Sequence, residues 1–289
     1  MLIHFCHTLG LPQPYSFVNQ QDDFYHDFFM NVPISHTNSD HVRLPTNIFK
    51  NICGQSSRCC ISFVMMKLFT QESKLLWYYT QLKFSKHKLD VHKDIFPSKP
   101  VVVIPGMGAS DRTTKSLRTF LTSTGLTVHG WKQGLNHGNL RKMLSPLEEH
   151  IASLSQKSEP LILIGWSLGG ILSREIARKI PQHVKAVCCL GSPIVGGAQH
   201  TIYAPIYKRW GFDLTELARK SEQMERVSLS VPSHVIYSKN DAIVHWEACL
   251  DPYNNHTTQK EVTAPHFSLG FSIEVYQEIV RWLKEILGD

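Results

Sequence analysis

One serine lies between closely spaced glycines in ILIGWSLGGIL, residues 162–172, at the end of an apolar run. The segment GWSLG fits the pattern G-x-S-x-G, which turns a strand sharply into a helix and projects the serine hydroxyl out of the sheet. Such a turn needs small residues two before and two after the serine, and Gly165 and Gly169 meet that need. The pattern therefore predicts Ser167 as a nucleophile. The simpler alternative is a glycine-rich turn with an incidental serine.

A serine nucleophile needs a base and an acid that orients the base, and for this turn the chain order is Ser, then Asp or Glu, then His. Asp241 follows the apolar run SHVIYS, residues 233–238, and His266 follows KEVTA, residues 260–264. Taken singly, Asp241 fits a turn residue and His266 a helix-entry residue equally well. Their order and their positions after predicted strands favour a triad of Ser167, His266 and Asp241.

Other acids and histidines fit this role less well. Asp213 and Asp251 do not follow a strand-like run. His245 comes too soon after Asp241 to belong to a different strand, and His256 lies in the polar stretch NNHTTQ ahead of the strand. We therefore expect these residues to lie outside the catalytic group.

A tetrahedral intermediate also needs N–H donors for its oxyanion. The first predicted donor is the backbone N–H of Leu168, directly after the serine. The second is the N–H of Met107 in VVVIPGMGAS, residues 101–110, where Gly106 would allow close approach. The alternative is a flexible strand-to-helix turn. Since PGMG lacks both G-x-G-x-x-G and a following GK[ST], nucleotide binding is not predicted.

The elements that must position these residues alternate between apolar runs and helical stretches. Predicted strands cover residues 100–106, 126–131, 160–165, 184–191, 233–238 and 260–264. Predicted helices cover about residues 112–124, 139–156, 167–180 and 272–287. Unbroken apolar runs are typical of parallel strands that are covered on both faces. The alternation predicts an α/β fold with a mostly parallel sheet and right-handed crossovers, in which ligands lie beyond the carboxyl ends of the strands.

These segments resemble the α/β-hydrolase superfamily, and more narrowly its bacterial esterase/lipase-like members. The resemblance covers about residues 97–289 and rests on VVVIPGMGAS, LTVHGW, ILIGWSLGGILSREIA, VCCLGSPIVGG, VIYSKNDAIVHW and PHFSLGF. It implies an α/β-hydrolase fold, with a mostly parallel sheet of about six or more strands flanked by helices and a helical lid insertion. It also implies the site residues, namely Ser167, Asp241 and His266 as the triad and Met107 and Leu168 as the oxyanion donors.

The sequence departs from the family pattern at two places. Pro105-Gly106 stands where a His-Gly pair is common, and the usual first strands are not evident before Val101. Residues 1–96 have no counterpart and are predicted to form an N-terminal extension. The extension is partly irregular, with a helix at about 61–84.

Residues 198–230 interrupt the alternation and carry many apolar and aromatic side chains. An insertion at this point would lie over the strand ends, where a lid belongs, although an ordinary crossover with an apolar face is an equal alternative. The candidate substrate-binding residues are Tyr203, Tyr207 and Trp210, together with Trp166 beside the nucleophile. An aromatic lid favours acyl or other apolar substrates over sugars and phosphates.

Composition narrows the class of protein. The chain has 289 residues, of which 42% are apolar and 19% charged, and its formal net charge is +6. It has no run of about five or more like charges, so a nucleic-acid partner is not predicted. The 16 histidines show no metal-ligand spacing, so neither a metal nor a cofactor is expected.

The cysteines and the N-terminus bear on location. The chain has seven cysteines, and Cys188 and Cys189 lie in an apolar run that favours buried thiols. The first residues lack the basic segment of a signal peptide, and CCISFVMMKLF is shorter than the roughly 18 residues that span a bilayer. A cytoplasmic protein without a transmembrane segment is expected. Peripheral membrane contact and the oligomeric state stay open.

The sequence thus predicts a serine hydrolase that cleaves carboxylic esters, small or lipid, through an acyl-enzyme. Thioesterase, amidase and acyltransferase activities would use the same residues. A non-catalytic module that binds an apolar ligand or a partner is the alternative from a different class. The presence of serine, aspartate and histidine together argues against that alternative, because a binding module has no need of all three.

Overall fold

The computed structural model of the protein describes residues 70, 72–84, 95–96, 98–209 and 211–288. Most of the predicted N-terminal extension lies outside these residues, as do the first part of the predicted helix at 61–84 and the predicted substrate-binding residue Trp210.

The described residues contain a sheet of six parallel strands in the order β2-β1-β3-β4-β5-β6. The strands are β1 (Pro100–Ile104), β2 (Thr127–Gly130), β3 (Leu161–Trp166), β4 (Val184–Leu190), β5 (Ser233–Tyr237) and β6 (Thr257–Glu261). Every residue of β1 and β3 is buried, which is why both read as unbroken apolar runs. The predicted α/β architecture with a parallel sheet is confirmed.

Strand β6 begins three residues before its predicted position. The prediction took residues 260–264 from their apolar content, whereas the strand covers Thr257–Glu261. Most β6 side chains are exposed because β6 is an edge strand, so apolar residues do not mark it. The apolar Val262 and Ala264 are buried just after the strand, on the way to the predicted histidine.

Helices cover both faces of the sheet. They are α1 (Leu75–Phe84), α2 (Lys115–Ser123), α3 (Leu140–Ser155), α4 (Leu168–Lys179), α5 (Ala204–Arg209), α6 (Leu214–Glu225), α7 (Trp246–Cys249) and α8 (Ile273–Leu287). Short 3-10 helices cover Pro181–His183, Gly197–His200 and His266–Phe271. The four helices predicted between the strands correspond to α2, α3, α4 and α8. None of the described helices combines the length and the apolar character that a membrane crossing requires.

The core has two parts, one on each face of the sheet. Alternate residues of β1 divide between them, with Val101 and Val103 in the part shared with α2 and α8. Val102 and Ile104 belong to the part shared with α3 and α4. This alternation follows from the two-residue period of a strand and explains why both faces of the sheet are apolar.

Helix α1 packs against the α2–α8 side of the core and against the 3-10 helix His266–Phe271. Tyr78 and Leu82 are partly buried against the α2–α8 side of the core. The ring of Tyr79 lies 5.9 Å from the ring of Phe271, edge to face. The described part of the N-terminal segment therefore contacts the same 3-10 helix that begins with His266.

The insertion between β4 and β5 contains α5 and α6, and the two halves are held differently. Residues 200–202 pair with residues 243–245, through bonds from the Ile202 N–H to the Ile243 carbonyl and from the His245 N–H to the His200 carbonyl, both 2.9 Å. Helix α6 is bound to α4, since Glu225 pairs with Arg174 at 2.8 Å. The predicted lid at 198–230 therefore includes a helix, α6, that is fixed to the domain by buried charges.

Candidate active site

Ser167 occupies a strained turn between β3 and α4. Its backbone angles are φ 55° and ψ −120°, with β3 ending at Trp166 and α4 beginning at Leu168. A positive φ is costly for a residue with a side chain and persists only where the surroundings enforce it. Here the Ser167 N–H donates to the Leu190 carbonyl at 2.8 Å, and the Ser167 carbonyl accepts from the Gly170 N–H at 3.0 Å. The sheet and the helix therefore hold the turn from both sides.

The glycines around Ser167 are required by close backbone contact. A Cβ at Gly165 would overlap the carbonyl of Gly169, and a Cβ at Gly169 would overlap the carbonyl of Ile104. Helix α4 could not start this close to β1 and β3 with larger residues. The structure thus supplies the steric reason for the small residues that the motif demands.

Asp241 lies just after β5, and both of its carboxylate oxygens are engaged. Oδ1 accepts the N–H groups of Ile243 at 2.8 Å and Val244 at 2.7 Å. Oδ2 lies 2.6 Å from Nδ1 of His266. The local turn fixes the carboxylate in one orientation and leaves its second oxygen for the imidazole.

His266 begins the 3-10 helix that follows β6, and it is 3% exposed. Its carbonyl accepts the Nε1–H of Trp166 at 3.2 Å. Because Nδ1 faces the Asp241 carboxylate, Nδ1 carries the proton and Nε2 is the nitrogen that can accept one.

The charge of His266 is set by opposing effects. Burial disfavours the imidazolium, but the charge and hydrogen bond of Asp241 favour it, and the Glu72 carboxylate adds to them. The net result is a pKa of His266 above its ordinary value of 6.5. The site therefore stabilises the protonated imidazole that forms when a base takes a proton from a hydroxyl.

The residue directly after β4, Gly191, lies against the Asp241–His266 pair. A Cβ at Gly191 would lie 3.2 Å from both Oδ2 of Asp241 and Nδ1 of His266. Gly191 also has φ 56°, a conformation that favours glycine. Four consecutive strands, β3 to β6, thus end around one site, as expected for the carboxyl edge of a parallel sheet.

The loop after β1 contacts the nucleophile. A Cβ at Gly106 would lie 3.1 Å from Cβ of Ser167, so a larger residue would press this loop away from the serine by a few tenths of an ångström. Leu168 is the first residue of α4, where helix geometry leaves the N–H groups without an intrahelical acceptor and with a partial positive charge. The N–H groups of Met107 and Leu168 stay a prediction as oxyanion donors.

Asn136, which the sequence analysis missed, holds the loop after β1 in place. Its buried side chain donates to the Pro105 carbonyl at 2.9 Å. Its carbonyl accepts the Gly108 N–H at 2.7 Å, and its N–H donates to the Ala109 carbonyl at 2.8 Å. A single asparagine in a polar loop carries no distinct sequence signal for this role.

The predicted substrate-binding residues have different positions. The Trp166 ring is 5% exposed and packs against Phe271, with ring centroids 6.2 Å apart. Alternation along β3 turns this ring toward the α2–α8 side of the core, and a substrate-binding role for Trp166 stays a prediction. The Tyr207 hydroxyl lies 3.5 Å from Sδ of Met107, and Tyr203 packs against the α3–α4 side of the core.

Asp213 and Asp251, which were not predicted to be catalytic, make structural contacts. Asp213 caps α6 by accepting the Thr215 N–H at 2.9 Å. Asp251 forms an ion pair with Arg174 at 2.9 Å. One further carboxylate does reach the site, namely that of Glu72, which lies outside the region that the sequence analysis took for the catalytic domain.

Solved structures share this fold, although no protein-family model and no curated protein sequence matches the chain. A metagenome-derived lipolytic enzyme aligns with a TM-score of 0.53 and 13% identity, over 70% of this chain and 99% of that one. An α/β superfamily hydrolase from Oenococcus oeni aligns with a TM-score of 0.50 and 14% identity, over 66% of this chain and 94% of that one. At these identities the likeness is one of fold.

Proposed function

We propose that this chain, which has the α/β-hydrolase fold, is a serine hydrolase that cleaves carboxylic esters. The position of Ser167 carries the proposal: a serine at φ 55° at the end of β3, at the same edge of the sheet as a buried Asp241–His266 pair joined at 2.6 Å. Strained backbone positions cluster at active sites, so the strain at Ser167 together with this position supports a chemical role.

In the proposed reaction, Oγ of Ser167 attacks the ester carbonyl carbon while Nε2 of His266 takes the hydroxyl proton. The carbonyl π electrons move to the oxygen, and the N–H groups of Met107 and Leu168 stabilise the resulting oxyanion. The imidazolium then protonates the leaving alcohol as the carbon–oxygen bond breaks, which leaves an acyl-enzyme. Water, deprotonated by His266, then attacks the acyl carbon. The bond from that carbon to Oγ breaks, and the imidazolium returns its proton to Oγ, which releases the acid and free Ser167.

The position of α5 supports a substrate with an apolar acyl group. Helix α5 brings Tyr207 to within 3.5 Å of Met107, whose N–H is the proposed oxyanion donor. We infer that the lid is restricted to α5, since residues 200–202 pair with residues 243–245 and α6 is bound to α4 by buried ion pairs. One of the similar solved structures is a lipolytic enzyme, and this similarity agrees with an ester as the substrate.

A fluorophosphonate probe tests the proposal. We expect one covalent adduct on the wild-type protein, and Ser167→Ala should abolish it and lower turnover by several orders of magnitude. Ser173→Ala is the matched control, because Ser173 lies on the same helix and its hydroxyl only donates to the Gly169 carbonyl at 2.8 Å. Intact mass spectrometry reads the adduct. An unlabelled wild-type protein would instead favour a non-catalytic binding module.

A substrate panel tests the ester class. p-Nitrophenyl esters, matched thioesters and matched anilides with the same acyl chain separate esterase, thioesterase and amidase activities by their kcat/KM values. We expect the oxygen esters to be cleaved most efficiently. A clear preference for thioesters or anilides would contradict the proposed ester substrates but leave the proposed serine mechanism in place.

A further inference from the structure

The carboxylate of Glu72 spans the two loops that carry Asp241 and His266. Its Oε1 accepts the N–H of His266 at 3.1 Å and the N–H of Ala242, directly after Asp241, at 3.3 Å. Its Oε2 accepts the N–H of Phe267 at 2.9 Å. One side chain from the N-terminal segment therefore binds the backbone of both loops.

This contact is well placed to affect the Asp241–His266 pair. The two residues follow different strands, β5 and β6, and their side chains meet at 2.6 Å. A change of a few tenths of an ångström between the loops would alter that hydrogen bond. Glu72 is 9% exposed, and a carboxylate this buried is retained only where donors satisfy it. Three backbone N–H groups supply them here.

The charges at this site act on one another. Burial raises the pKa of Glu72, the N–H of Phe267 and the charge of His266 oppose that rise, and the charge of Asp241 adds to it. In turn, Glu72 is one of the two carboxylates that raise the pKa of His266. The Cys249 thiol also lies in range of Asp241, but burial raises its pKa well above the ordinary value, so it stays neutral.

We propose that Glu72 is a positioning residue for the catalytic pair: it holds the Asp241 and His266 loops together and adds negative charge behind the imidazole. The inference rests on the proposed hydrolase function. Glu72 contacts backbone N–H groups rather than the reacting atoms, so its effect passes through His266 and Asp241. The N-terminal segment would thereby supply part of the active site.

Two substitutions of Glu72 separate the effect of its charge from the effect of its side-chain length. Glu72→Gln keeps the shape and one acceptor oxygen but removes the charge. We expect it to lower the pKa of His266 and to shift the acid limb of the kcat/KM profile to lower pH. Glu72→Asp keeps the charge on a shorter side chain, so its acid limb should stay nearer that of the wild type. In both variants the plateau of kcat should fall about 10- to 100-fold, as for other small misplacements of reacting groups.

Glu274→Gln is the matched control. The Glu274 carboxylate also holds the loop before His266, by accepting the Thr263 N–H at 2.9 Å and the Thr263 hydroxyl at 2.7 Å. It does not contact the backbone of His266 or Phe267 among the bonds of the described residues. We therefore expect this variant to leave the acid limb where the wild type has it.

Two NMR measurements keep the test independent of turnover. The pKa of His266, assigned by comparison with His266→Asn, reports the charge effect in each variant. In the wild type, the amide protons of His266 and Phe267 should shift with the titration of Glu72, a result that needs no variant to fold. Insensitive amides would overturn the proposal, as would an unchanged His266 pKa in a folded Glu72→Gln protein. If the fluorophosphonate fails to label the wild type, the hydrolase proposal is wrong. The NMR shifts would still show whether Glu72 acts on the Asp241–His266 pair.

Discussion

Ser167 shows how one residue carries strain for the site. A non-glycine residue in such a sparsely populated conformation costs about 1–3 kcal/mol, and the fold meets this cost through the packing of β3 against α4. The same turn sets Ser167 between the carboxyl end of β3 and the first N–H groups of α4. Asp241 is held equally firmly, by the two N–H groups that bind its Oδ1.

Asp241→Asn tests the pairing at the residue level. The asparagine Oδ1 can still accept from Ile243 and Val244, but its amide would donate to Nδ1 of His266. The ring proton would then move to Nε2, which could no longer accept a proton from Ser167. We expect turnover to fall roughly 10³- to 10⁴-fold with no change in thermal unfolding, as measured by ester hydrolysis and circular dichroism.

Asp213→Asn provides the control for that change. Asp213 caps α6, and asparagine is an equally good cap, so turnover should remain at the wild-type level. If Asp241→Asn kept wild-type turnover, Asp241 would be removed from the proposed triad. If it unfolded the protein, its role would be mainly structural.

At the level of elements, the insertion divides into a fixed part and a part beside the site. Helix α6 carries Glu225, which is 2% exposed and paired with two arginines of α4. Helix α5 is the element whose aromatic residue Tyr207 reaches the loop after β1. The sequence could not separate these helices, because the arginines that hold Glu225 lie on α4, far from α6 in the chain.

The chain-length preference tests α5. Tyr207→Ala should lower kcat/KM for long-chain p-nitrophenyl esters more than for acetate esters, because it would remove apolar surface from the proposed acyl site. About 55 Å² of lost apolar contact is worth roughly 1.4 kcal/mol, a tenfold change. Tyr207→Phe keeps the ring and loses only the hydroxyl near Met107, so the chain-length ratio should remain. An equal loss for all chain lengths would assign Tyr207 to the fold rather than to the substrate.

Across the whole molecule, a buried ionic cluster connects the nucleophile helix to distant segments. Arg174 of α4 is fully buried and pairs with Glu225 of α6 at 2.8 Å and with Asp251, ahead of β6, at 2.9 Å. Asp251 also accepts the Asn254 side-chain N–H at 2.7 Å and the Thr257 hydroxyl at 3.0 Å. The cluster therefore joins three segments through one side chain.

Arg174→Met tests this cluster through global stability. Removing one partner leaves buried carboxylates short of positive charge, so the free energy of unfolding in urea should fall by about 3–5 kcal/mol. Lys179→Met is the control, since Lys179 pairs with Glu148 on the surface at 3.4 Å, and its loss should cost roughly 1 kcal/mol or less. A similarly small loss for Arg174→Met would show that the cluster contributes little net stability.

The sequence by itself determined the alternation of strands and helices, the turn around Ser167 and the strand-end positions of Asp241 and His266. These features depend on local signals: apolar runs mark buried parallel strands, and glycines mark turns where backbone segments touch. The edge strand β6 was misplaced because a solvated strand carries a weaker apolar signal. The local signals also left the orientation of Trp166 undetermined.

Only the tertiary structure decided which residues support the site. Glu72 and His266 are 194 positions apart in the chain, and Asn136 and Pro105 are 31 apart. Neither contact follows from spacing or composition, because folding selects such partners by bringing remote segments to the same edge of the sheet. The anchoring of α6 has the same origin, since Arg174 becomes a buried ion-pair partner only once α4, α6 and the segment before β6 are packed together.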